Sequence, residues 1–136
     1  MTLEKPVEEN GSLPQEIKER VASSAATFEK SFYDLTKDKS VKNHLAQLEK
    51  KQVIIAGAET DVCVLESCLG LLGLGYEVFL VENLLFSSSR NVDAALGRMK
   101  ADGATFLSYK SLFYALTERV ETEQAVKRSI PEKLPQ

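Results

Sequence analysis

Short apolar runs, each followed by a stretch with helical spacing, recur along this 136-residue chain. The clearest is Val53–Ala56 (V-I-I-A), continuous, rich in β-branched residues and ended by Gly57. Such a run suits a strand covered on both faces of a parallel sheet. From about Val62 to Leu72 the chain is apolar nearly all round, which predicts a well-covered helix. Thr60 or Asp61 is placed to cap it, and Gly73 and Gly75 to stop it. Val78–Val81 (V-F-L-V) reads as a second buried strand. Ser88 or Ser89 then opens a helix in which Val92, Ala95, Leu96 and Met99 form one stripe, ended by Gly103. Thr105–Leu107 is a short strand, and Ser108 caps a last helix carrying Leu112, Phe113, Leu116 and Val120.

Upstream the pattern is weaker. Ile17 and Val21, four apart behind Pro14, predict a short helix. Ala25 to Phe28 reads as a short strand, and Val41, Leu45 and Leu48 give residues 38–50 one apolar side. Residues 1–13, polar and carrying Pro6, Asn10 and Gly11, read as a flexible lead-in. Residues 14–120 read as one domain and 121–136 as a polar tail. The alternation of strand and helix predicts an α/β fold: a three-layer α/β/α, Rossmann-like sheet, mostly parallel, of about four strands, with Val53–Ala56 at its centre. Ligands bind such sheets at the carboxyl ends of the strands. That nominates the loops after Phe28, Ala56 and Val81.

Composition narrows the function. Apolar residues make up 43% and charged residues 27%, with a net charge of -3. This lacks the basic footprint of a nucleic-acid binder. No apolar run reaches the roughly 20 residues of a membrane span. The start, M-T-L-E-K-P-V-E-E-N-G-S, is acidic and polar rather than a secretory signal. With two cysteines, these features predict a reducing, cytoplasmic setting. One histidine and two cysteines are too few for a multi-histidine metal site or a zinc knuckle, so no metal is expected. Gly73-Leu74-Gly75 follows a helix rather than a strand and is no dinucleotide fingerprint, so no cofactor is expected either.

One segment carries candidate chemistry. In Gly57-Ala58-Glu59-Thr60-Asp61-Val62-Cys63-Val64, Cys63 falls in the first turn of the best-covered helix. Unpaired N–H groups and the positive dipole end there favour thiolate over thiol and can hold an oxyanion. Against this stands the common fate of cysteine, which is to be a buried and inert core residue. Cys68, five residues on, shares no helix face with Cys63 and reads as core. His44 reads as a surface residue, Ser87 to Ser89 as loop and cap, and Asp61 as a cap. Lys30, after a short strand, could stabilise a thiolate or be simply solvated.

G-A-E-T-D-V-C-V, the helix ending in G-L-G-Y-E-V-F-L-V, and S-S-S-R-N-V-D-A-A-L-G-R-M-K-A-D-G-A together resemble the isochorismatase-like cysteine hydrolases. The nearest branch is the one with a G-x-E-T-x-x-C-V nucleophile motif. F-E-K-S-F-Y-D adds the family's lysine before a Ser/Phe pair, and the resemblance covers about residues 24–117. It implies a Rossmann-like sheet and an Asp–Lys–Cys triad, with Cys63 as nucleophile and Lys30 as the lysine. It also implies a cis peptide at Ala58–Glu59 and an oxyanion hole from the N–H groups of Glu59 and Cys63. The implied reaction is hydrolysis of a small amide, ester or related C–N or C–O bond in a small-molecule substrate. A homo-oligomer is implied too, since family members commonly assemble and an exposed strand edge favours that.

The chain departs from the family in one respect. The triad aspartate belongs to a first strand with a context like D-x-Q-x-x-F, and nothing in residues 1–23 matches it. On this reading the N-terminal part that carries the aspartate is absent, which leaves the Cys63 strand short of a neighbour and weakens catalysis. A second reading is a non-catalytic relative serving as a subunit or interaction module. A third is a thiol sensor built on Cys63.

Overall fold

The computed structural model describes residues 2–4, 8 and 11–118. The elements run β1 (Thr2–Glu4), α1 (Gln15–Val21), β2 (Thr27–Glu29), a 3-10 turn (Leu35–Lys37), α2 (Lys39–Gln47) and β3 (Gln52–Ala58). After a π-helical turn (Thr60–Val64) come α3 (Leu65–Gly73), β4 (Glu77–Phe86), α4 (Asp93–Ala101), β5 (Thr105–Leu107) and α5 (Tyr109–Thr117). Every strand pairing is parallel, and helices flank the sheet on both sides, as the alternating pattern requires. Among the described residues no helix is long and apolar enough to cross a membrane. The tail expected over 121–136 lies outside the described residues, as does Val120.

Among the described residues the strands number five, divided between a three-stranded sheet ordered β3-β4-β5 and a two-stranded pair, β1-β2. The strand β1 falls inside the expected lead-in, where three residues of T-L-E are too short to show a period. The central strand is β4, not β3. Val78, Leu80 and Val81 of β4 are essentially inaccessible, whereas among the described residues β3 has a ladder partner on one side only. Along β3 burial alternates: Val53 and Ile55 are half-buried and Ile54 is 47% exposed. The run V-I-I-A tells how much cover the strand prefers, not how much its neighbours supply.

One core joins both sheets. Leu35, Val41, Leu45, Val64, Cys68, Leu71, Val78, Leu80, Met99 and Ala104 form it, and Phe28 of β2 and Val53 and Ile55 of β3 pack on its margin. Burial of these side chains is the main driving force, at about 25 cal/mol per Å² of apolar surface. His44, read from sequence as a surface residue, is half-buried with its ring 5.1 Å from that of Phe28. Ser108 caps α5 by accepting from the Ser111 N–H at 3.0 Å. By contrast α4 begins at Asp93, whose N–H is taken by Asn91 Oδ1 at 3.0 Å; Ser88 and Ser89 are not its caps.

The loop between β2 and α2 is fastened to α3. Ser67 Oγ accepts from the Leu35 N–H at 3.1 Å and donates to the Tyr33 carbonyl at 3.0 Å. Asp34 is buried, and its Oδ1 accepts from the Thr36 N–H at 2.8 Å and the Thr36 hydroxyl at 2.7 Å. Its carboxylate lies directly over Gly70, where an added Cβ would overlap Asp34 Oδ1 and come within 2.7 Å of both Asp34 Oδ2 and Thr36 Oγ1. Gly70 is therefore a notch for a pinned carboxylate. Gly70→Ala should cost about 1–3 kcal/mol, the usual range for overpacking. Gly73→Ala, with nothing within 4 Å of its Cβ, should leave stability within about 0.5 kcal/mol. Urea unfolding of both variants checks this, and equal stability would mean that the loop does not dock.

Candidate active site

The carboxyl end of β3 leads directly into the turn that carries Cys63. The Ala58–Glu59 peptide is cis. The Glu59 carbonyl then accepts from the N–H groups of Val62 at 3.2 Å and Val64 at 3.0 Å, so the chain makes one wide turn before α3. Among the described residues no side chain caps this turn. Thr60, 2% exposed, instead donates its hydroxyl to the Phe86 carbonyl at 3.0 Å, which ties the turn to the end of β4.

Glu59 and Asp61 both reach across to the serine loop after β4. Glu59 Oε2 accepts from the Ser88 N–H at 2.6 Å, the Ser88 hydroxyl at 3.0 Å and Ser87 Oγ at 3.1 Å. Asp61 accepts from Ser87 Oγ at 2.6 Å and Ser89 Oγ at 2.5 Å. Ser87 has one hydroxyl proton for two carboxylates. The shorter contact gives it to Asp61. These donors favour the charged forms. The Ser88 N–H above all, then the Ser88 hydroxyl, holds Glu59 below its ordinary 4.5; Ser87 and then Ser89 do the same for Asp61. The sign follows: the clamp is intact above the ordinary carboxylate range and is lost as pH falls through the lowered values. The sequence pattern predicts a loop and helix cap for these serines and a cap for Asp61; the structure pairs them with one another instead. The partners are 26–29 residues apart in the chain, so no local pattern could reveal the pairing.

Lys30 follows β2 directly and is 6% exposed. Its ammonium donates to the carbonyls of Phe32 at 2.7 Å and Tyr33 at 3.2 Å. Among the described residues two of its three N–H bonds are so occupied. Cys63 is 7% exposed, and both cysteines are free. Cys68 is fully buried, and burial, helped by the charge of Asp102, pushes its thiol up to about 11. The structure thus puts Glu59 and Cys63 on one turn and fastens the Lys30 loop to the helix that continues from it. Asp34 is committed to Thr36 and Gly70. A shallow cleft of about 200 Å³, lined by Leu45, Leu48, Val53, Ile54 and Tyr76 among others, lies at the opposite, amino end of β3. Ser67 and Gly70 carried no signal in the sequence, because only the docked loop gives them a task.

An isochorismatase-domain family model matches residues 4–111. Isochorismatase family protein 1B of Dictyostelium discoideum is 37% identical over 107 residues, covering 76% of this chain and 51% of that one. The chain thus spans about half the length of the curated relatives it matches. Among solved structures, YcaC from Pseudomonas aeruginosa with hexane-2,5-diol and covalent acrylamide is similar with a TM-score of 0.74 and 26% identity, over 93% of this chain and 71% of that one. YcaC of Escherichia coli, an octameric hydrolase of unknown specificity, gives 0.73 at 20% identity over 93% and 71%. MAR1 ribonuclease of Caenorhabditis elegans gives 0.85 at 23% identity over 98% and 70%. The last two likenesses are ones of fold.

The two thiols should behave differently. Below about pH 9 Cys68 stays a buried neutral thiol, so a small alkylating agent should modify Cys63 and spare Cys68 in the folded chain. Peptide mass mapping after timed quenching reads this directly. Equal modification, or an inert Cys63, would remove the nucleophile.

Proposed function

The chain belongs to the isochorismatase family, and we propose that it is a cysteine hydrolase of small amides, esters or related C–N and C–O bonds, with Cys63 as nucleophile. The observation that carries this reading is the placement of Cys63. It lies in the turn at the carboxyl end of β3, where α/β sheets bind ligands, and α3, which continues from that turn, also holds the loop that follows the buried Lys30. In this reading Cys63 Sγ attacks the acyl carbon and forms a C–S bond. Charge moves to the carbonyl oxygen, which the N–H groups of Glu59 and Cys63 receive. The Lys30 ammonium holds negative charge at the thiolate. Expulsion of the leaving group gives an acyl-thioester, and water hydrolyses it to free acid and thiol. The relative whose structure bears a covalent acrylamide supports a reactive centre in this fold.

The step with no matched residue is proton transfer to the leaving group. General acid–base help of this kind is worth typically 10²–10⁴-fold. Leaving groups that depart as stable anions do not need it; amines do. The 136-residue chain alone should therefore turn over activated esters and leave amides nearly untouched. Cys63→Ala should abolish the esterase activity, and Lys30→Gln should lower it. Initial rates on a matched ester and amide series decide the matter. Amide hydrolysis that depends on Cys63 would mean that a carboxylate such as Asp34 or Glu29 moves the proton. An absence of Cys63-dependent turnover on every substrate would leave the non-catalytic reading.

That second reading has its own support in the edge of β3 that no described strand pairs, where Ile54 is 47% exposed. An unpaired edge without a charge or proline to blunt it favours strand addition. We place a homo-oligomeric contact there in either reading, in a reducing, cytoplasmic setting that keeps both free thiols reduced.

A further inference from the structure

Cys63, Ser67 and Gly70 stand four and three residues apart, so they fall along one side of α3 and the turn that opens it. That side faces the loop carrying Lys30. Gly70 receives the Asp34 carboxylate, and Ser67, 4% exposed, holds the backbone on either side of Asp34. A buried hydroxyl needs partners, and Ser67 has them: it accepts from Leu35 N–H at 3.1 Å and donates to the Tyr33 carbonyl at 3.0 Å. That same carbonyl accepts from the Lys30 ammonium at 3.2 Å. The Tyr33 oxygen is therefore a shared node between the lysine and the cysteine helix. A serine there for packing alone could bond any backbone group; this one bonds the group that the ammonium also uses.

We infer that Ser67 is a positioning residue, which fixes the Lys30 ammonium relative to Cys63 through the Tyr33 carbonyl. This rests on the reading of Lys30 and Cys63 as partners in catalysis. Without the hydroxyl the Tyr33 carbonyl and the Leu35 N–H lose their tie to α3. The loop can then slide, and the ammonium moves with it, while Cys63 and its turn stay in place.

The ratio of Cys63 alkylation rates by iodoacetate, an anion, and iodoacetamide, its neutral counterpart, reads positive charge beside the thiol. It is insensitive to a change in thiolate fraction, which affects both reagents alike. Ser67→Ala should lower this ratio roughly fivefold, the effect of about one unit charge at close range in water. Lys30→Gln should lower it by the same factor, and the double variant no further. Because a buried site can react badly to truncation, the isosteric pair Ser67→Thr and Ser67→Val separates hydroxyl from volume: Thr should keep the ratio and Val should lose it. Thermal melting of each variant confirms folding. A lowered ratio in Lys30→Gln with an unchanged ratio in Ser67→Ala and Ser67→Val would overturn the inference and leave the catalytic reading standing. An unchanged ratio in Lys30→Gln would overturn both.

Discussion

The β3–β4 ladder loses and regains its register, and the position of the Cys63 turn depends on where it does so. The strands run in step from Gln52–Glu77 to Ile55–Leu80, then rejoin at Gly57–Leu85 and Ala58–Phe86. Between those points β3 advances two residues while β4 advances five. The longer path through β4 brings Phe86 level with the end of β3, so that its carbonyl meets the Thr60 hydroxyl and Ser87 to Ser89 come alongside Glu59 and Asp61. With any other register the two carboxylates would lose their donors, and the turn between them and α3 would lose its fixed end.

A second constraint acts from the other side. The core holds α3 through Cys68 and Leu71, both fully buried, and the side of α3 that continues from Cys63 is given over to Ser67 and Gly70. Those two residues bond and seat the loop in which Lys30 sits, more than 30 residues earlier in the chain. The lysine and the cysteine are thus located by separate devices on one helix: a strand-end turn clamped by serines, and a loop docked by a hydroxyl and a missing Cβ. The Ser67 device is buried, where an unmade hydrogen bond costs about 1–3 kcal/mol, whereas the serine clamp is open to water at Ser88 and Ser89.

Much of this was readable from the residues alone. The runs at Val53, Val78 and Thr105 gave the main-sheet strands, and periodicity gave the helices between them, because period and run length are local properties. Ser108 was recognisable as a cap because its partner lies three residues away. What failed was whatever depends on distant neighbours. V-I-I-A looked like the centre of a sheet, yet the described strands cover it on one side only. Ser87, Ser88, Ser89 and Asp61 looked like caps, yet they serve one another across two loops. A motif resemblance singled out Cys63, Lys30 and Glu59 but gave no hint of Ser67, whose partners Tyr33 and Leu35 lie more than 30 residues away in the chain.

The proposed chemistry turns on a covalent bond between Cys63 and an acyl group. Brief reaction of the folded chain with an activated ester, acid quenching and peptide mass mapping test it most directly. One acyl group per chain is expected, on Cys63, absent from Cys63→Ala and reduced in Lys30→Gln. Acyl groups confined to Cys68 or to surface lysines, at the same level in Cys63→Ala, would contradict it.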